Sequence, residues 1–393
     1  MSFNSQVVRL TTAQALSGAN SAIVYATGAI IGHDLAPSPS LATLPISIFV
    51  VGMALSTLPV GTITRRHGRR AAFLVGNLCG ILLGLIAAAA LAINSFALFC
   101  IAMLFGGAYA AVVLTFRFAA AECVTPQEQP RALSAVLLGG VAAGVFGPQL
   151  VTATMNLWPS HSYLPTYLGA SVAALLSAVV LVGGEFSRPT APSSRHSQVV
   201  AWSSLLQPRF IVAMLCGTVS YMMMNFMMTS APLAMELHGI ARVHSNYGIE
   251  MHIVAMYAPS FFTGRLISRF GQPKVIVLGL LLIGFAAITG MHGMSVGHFW
   301  TALVLLGVGW NFSFLGASSM VLTCHASEEG PRAQAINDFV VFGSMVVGSF
   351  ASGSLLNHFG WSVVSSFILV PVALAIGALA WLYVFRGRSR AIS

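Results

Sequence analysis

Charge is what this chain lacks most. Asp and Glu number nine, and Lys and Arg 18, so only 7% of its 393 residues are charged. A soluble domain carries roughly 25%. So few charges leave a water-facing surface uncovered, and lipid is therefore the expected solvent. Cysteine is sparse and unpatterned: Cys79, Cys100, Cys123, Cys216 and Cys324 show no Cys-x-x-Cys spacing, so neither a disulfide framework nor a zinc site is suggested. The phosphate-cradling pattern Gly-x-x-x-x-Gly-Lys-[Ser/Thr] is missing, so ATP is not the direct driving force. No His-Glu-x-x-His occurs, and no Ser/His/Asp or Cys/His arrangement stands out, so no catalytic centre is expected. The opening MSFNSQVVRLTTAQALSG has no compact apolar core followed by a small-residue cleavage site, so the first helix is expected to remain in place.

What is present is apolar. Hydrophobic residues make up 57% of the chain, in recurrent runs of about 20 residues, enough to cross a hydrocarbon core of about 30 Å. Such runs must be helical, because a helix satisfies its own backbone polar groups where water is absent. The expected spans are 9–32, 41–60, 71–93, 96–117, 132–155, 164–184, 209–235, 247–267, 274–293, 298–323, 333–357 and 362–385. Of the 18 Lys and Arg residues, only Arg242 falls at the second set of span ends. Cationic flanks stay in the cytoplasm, which places both termini there. The +9 formal charge is thereby explained by topology, and no nucleic-acid partner is expected.

The stretch at 185–208 is rich in Pro, Ser and Arg and reads as a cytoplasmic linker. It joins an N-terminal bundle (1–184) to a C-terminal one (209–393). A short repeat marks both. Gly61, Arg66 and Gly68, followed by Arg69 and Arg70, lie between spans two and three; Gly264, Arg269 and Gly271 lie between spans eight and nine. Both are Gly-x-x-x-x-Arg-x-Gly. At these residues the chain resembles the major facilitator superfamily, whose loop signature is Gly-x-x-x-Asp-Arg-x-Gly-Arg-Arg. The resemblance implies an all-α membrane fold of about twelve helices in two six-helix bundles, and a gating role for these loops. The chain departs from the signature at Arg65 and Ser268, where the acidic residue is missing. Membrane-anchoring arginines are the plainer alternative.

Spans seven and eight hold nine of the 17 methionines. Met224 and Met228, and likewise His252 and Met256, are i, i+4 pairs, each sharing one helix face. At 1.5 Å per residue, Met228 and His252 lie roughly 10 and 8 Å below the outer end, with Met224 and Met256 roughly 16 and 14 Å down. Thioether and imidazole groups together suit Cu(I), whereas hard cations prefer oxygen. Met223 and Met227 are an equally spaced register, and methionine is also a flexible gap-filler in apolar cores. The paired motifs resemble those of the CcoA-type copper importers, in which they carry the ligands; Cys216, eight residues before Met224, fits the same pattern. This resemblance implies import of copper, as cargo rather than cofactor, across the bacterial inner membrane to supply cytochrome oxidase assembly. A sister group resembles riboflavin importers, which makes an organic solute the alternative cargo.

Three further features bear on that choice. Asp338 lies inside span eleven, where an ionisable group is costly and is a candidate for proton coupling or for a structural ion pair. Tyr109, Arg117, Trp310 and Asn311 are candidates to line a cavity for an aromatic solute. A ligand-binding receptor is a third reading, weakened by the lack of an appended cytoplasmic domain. The expected partners are copper or a small organic solute and the lipid bilayer, with the protein acting as a monomer.

Overall fold

The computed structural model describes residues 4–116, 119–120, 123–125, 129–184, 186, 207–322, 324 and 330–391. Among these the chain is helical throughout. The first half comprises α1 (Ser5–Leu35), α2 (Leu44–His67), α3 (Arg69–Ala92), α4 (Phe96–Val113), α5 (Gln129–Thr154) and α6 (Leu164–Val182). The second comprises α7 (Pro208–Leu237), α8 (Arg242–Tyr257), α9 (Ser260–Phe270), α10 (Gln272–His292), α11 (Val296–Leu322), α12 (Gly330–Phe367) and α13 (Leu369–Ala391).

These helices make twelve crossings. Nine stretches among the described residues are long and apolar enough to span a membrane. One of them, Phe339–Val384, holds two crossings, which part at Gly360, whose φ of 75° interrupts the helix. The fifth crossing is α5, 26 residues long. The eighth is divided: α8 and α9 are 16 and 11 residues long, separated at Ala258 and Pro259. Proline has no N–H to donate and its ring crowds the preceding turn, so the single span expected at 247–267 is instead two pieces.

Apolar helices gain nothing from mutual burial in lipid, so close packing must hold them together. Gly52 and Gly107 allow it between α2 and α4. A Cβ on Gly107 would sit 2.0 Å from the Phe49 carbonyl oxygen, and one on Gly52 2.4 Å from that of Leu104. The sequence repeat is also a backbone repeat. Gly68 joins α2 to α3 with φ 85° and ψ 167°; Gly271 joins α9 to α10 with φ 84° and ψ 151°. Both conformations lie where L side chains are strained. Gly61 and Gly264 face open space. Arg66 and Arg70 are exposed, and the Arg269 guanidinium lies 5.3 Å from the ring of Phe270.

Among the described residues, most side-chain hydrogen bonds joining the two halves cluster towards one end. Ser47 meets Ser349 at 2.9 Å, Asn357 donates to the Pro39 carbonyl at 2.7 Å, and Gln149 donates to Glu250 at 2.7 Å. Asn246 donates to Thr152 at 3.2 Å. Arg242 completes this seam: it binds Glu236 at 2.5 Å, reaches Asp34 of the first half at 3.4 Å, and lies 5.4 Å from the centre of the Tyr163 ring. Arg242 thus ties both halves together.

Candidate functional site

Below the seam lies a cavity lined by both halves. About 780 Å³ of unfilled space lies within it, counting the part open to solvent. On α1 the lining residues are Gln14, Gly18, Ser21, Ala22 and Tyr25, one helical face of small and polar groups ending in a phenol. Phe49 and Met53 of α2, Ala110, Val113 and Leu114 at the end of α4, and Gly140 and Ala143 of α5 complete the first-half wall. Tyr221, Met224 and Met228 of α7 face them, with Ile253, Met256 and Tyr257 of α8.

The lining is aromatic and thioether-rich, and its rings are held from behind. Tyr25 meets Phe49 edge-to-face at 5.7 Å. Trp310 packs against Tyr221 at 5.3 Å and Tyr257 at 6.3 Å while stacking on Phe314 at 5.2 Å. Such edge and offset contacts are the preferred geometries of aromatic quadrupoles and add rigidity beyond area burial.

The proposed ligand groups separate. Met224, Met228 and Met256 face the cavity, whereas Met223, Met227 and Cys216 are wholly buried elsewhere. A Cβ on Gly290 of α10 would lie 3.1 Å from Met227 Cε, which places that methionine against the bundle. Cys216 Sγ points at the Ala375 carbonyl, 3.9 Å away. His252 is also fully buried and is not among the lining residues. Its Nδ1 donates to the Leu303 carbonyl of α11 at 2.7 Å, fixing the ring towards α11. Among the described residues no group of three or more His, Cys, Asp or Glu is placed to hold a metal.

The cavity candidates are also rearranged. Tyr109 lies inside the first bundle, where its hydroxyl meets Ser17 at 2.6 Å and Asn77 at 2.9 Å. Trp310 stands behind the lining. Asn311 donates to the Met256 carbonyl and to Ser260 Oγ, both at 2.6 Å, and accepts from Thr263 at 2.6 Å. Its amide braces the divided eighth crossing. Arg117 lies outside the described residues, as does the side chain of Asp338 on α12. Sequence reasoning missed Tyr25, Phe49, Tyr221 and Tyr257. The available signal was facial: Gly18, Ser21 and Tyr25, like Tyr221, Met224 and Met228, recur at i, i+3, i+7.

Twelve crossings in two halves, a seam closed at one end and a cavity between them describe a membrane carrier rather than an enzyme. The Major Facilitator Superfamily profile matches residues 10–258 and 251–392, and the chain belongs to that family. It is 43% identical over 372 residues to the riboflavin transporter RfnT of Brucella anthropi, covering 94% of each chain. It is 29% identical to the uncharacterized transporter YddS of Bacillus subtilis, covering 93% of this chain and 89% of that one. Among solved structures, a mutant of the nucleoside transporter NupG superposes with a TM-score of 0.74 at 10% identity, covering 96% of this chain and all of that one. The xylose transporter XylE from E. coli superposes with a TM-score of 0.72 at 14% identity, covering 97% of each. The copper assignment is overturned: the relative that matches 94% of both chains is a riboflavin transporter.

Proposed function

We propose that this chain imports riboflavin, or a similar planar organic solute, across a bacterial inner membrane. The observation that carries the reading is 43% identity to a riboflavin transporter along 94% of both chains. The cavity supports it chemically, because Tyr25, Phe49, Tyr221 and Tyr257 offer aromatic surfaces from both halves to a flat heteroaromatic ring. The charge asymmetry puts both termini in the cytoplasm, so the seam seals the outer side and the cavity serves the inner one. Rocking of the bundles 1–184 and 209–393 about the cavity, with 185–208 as linker, moves the cargo. Asp338 is assigned proton coupling, since an ionisable group within a crossing is costly to keep without a use.

A riboflavin auxotroph lacking its own importer tests this. Cells expressing the chain are expected to grow on low riboflavin and to accumulate labelled riboflavin. Asp338→Asn is expected to remove the sensitivity of uptake to a protonophore. Uptake at the level of empty vector, with the protein present in the membrane, would overturn the assignment.

A further inference from the structure

One bond between the halves differs from those of the outer seam. The Tyr25 hydroxyl of α1 donates to Asn225 Oδ1 of α7 at 2.8 Å. Tyr25 lines the cavity; Asn225 is not itself a lining residue but stands behind that hydroxyl, on the helical turn that carries the lining residues Met224 and Met228. Asn225 is fully buried, and its Nδ2 has no hydrogen-bond partner among the described residues. A buried amide left half-satisfied is costly in an apolar setting, and native proteins rarely keep one without reason. Exchanging the amide oxygen and nitrogen does not remove the problem, because one of them is left unpartnered in either orientation.

We infer that Asn225, screened by Tyr25, is the polar subsite with which the cavity reads its cargo, recognising a lactam or imide edge on a planar ring. An asparagine amide offers a donor and an acceptor side by side in one plane. The complement is a ring carbonyl beside a ring N–H: the carbonyl accepts from Nδ2, and the N–H donates to Oδ1. The cargo N–H then takes the place of the Tyr25 hydroxyl. The bond between α1 and α7 is given up as cargo binds, so loading the cavity loosens a tie between the halves. A ligand shifts a conformational balance only through such differential contacts. The inference rests on the flavin reading and deepens it, since the pyrimidine edge of riboflavin is an imide.

The experiment compares riboflavin with its N3-methyl analogue, which lacks the imide N–H, as competitors of labelled riboflavin uptake. In cells expressing the unaltered protein, the methylated compound is expected to compete about tenfold more weakly, the loss of one buried hydrogen bond. In Asn225→Leu the KM for riboflavin should rise about tenfold and the two compounds should compete equally. Tyr25→Phe removes the screening hydroxyl that cargo must displace, so discrimination should persist while the KM falls. Discrimination retained in Asn225→Leu, or absent from the unaltered protein, overturns the subsite while leaving riboflavin transport standing. Should Asn225→Leu fail to reach the membrane, Tyr25→Phe decides: a raised KM with discrimination lost overturns the proposal. No riboflavin uptake by the unaltered protein overturns both readings.

Discussion

The two halves meet in two chemically different places. At the seam they are joined by small polar groups and one arginine: Ser47 with Ser349, Gln149 with Glu250, and Arg242 with Asp34. At the cavity they face each other with rings and thioethers, Tyr25 and Phe49 on one side and Tyr221, Met224, Met228, Met256 and Tyr257 on the other. Hydrogen bonds are directional and are lost over short displacements, so the seam suits a contact that is either made or broken. Aromatic and sulfur surfaces tolerate sliding and varied partners, so the cavity suits a guest that must also leave.

Removing a ring from the cavity is expected to have the largest effect. Tyr257→Ala takes away a lining surface and a neighbour of Trp310, and uptake should fall at least about tenfold with the protein still in the membrane. Arg242→Ala comes next. It leaves Glu236 without its partner and cuts the tie to Asp34; for a partly exposed pair the closed state should weaken by about 1 kcal/mol. The readout is maleimide labelling of Thr43→Cys in a background without native cysteines, because Thr43 is buried at the closed end. Labelling should quicken several-fold, and high salt should produce part of the same effect. Ser349→Ala deletes one neutral bond and should shift the same labelling by about threefold or less. The smallest effect tests the two faces of α7. Met223→Leu and Met227→Leu, buried away from the cavity, should leave the KM for riboflavin unchanged, whereas Met224→Leu should alter it about two- to threefold. Equal responses from both faces would erase the distinction.

The fold was legible because lipid enforces simple rules. Apolar runs, cationic flanks and the paired Gly-x-x-x-x-Arg-x-Gly loops all follow from solvent and backbone constraints that act locally, and Gly68 and Gly271 adopt nearly the same conformation. The site was only partly legible, because counting residues measures depth and not rotation. Met224, Met228 and Met256 were placed at a suitable height, and they do face a common space. His252 shares that height, yet a carbonyl on a crossing remote in sequence, that of Leu303, captures its ring. Trp310 and Asn311 were sought in the cavity and instead support it from behind, a distinction set by which neighbour each helix face meets. The cargo was misjudged for a related reason: thioethers were weighed as metal ligands, without the four rings that surround them.

The brace at Asn311 has a mechanical consequence. Each polar atom of its side chain is engaged: Nδ2 with the Met256 carbonyl and Ser260, and Oδ1 with Thr263. The upper leg of the eighth crossing, α8, is moored to the first half through Asn246 and Glu250, while the lower leg, α9, runs to the loop at Gly271. Asn311 therefore pins both legs to α11 at the break, so Ala258 and Pro259 are spanned by side-chain bonds as well as by the backbone.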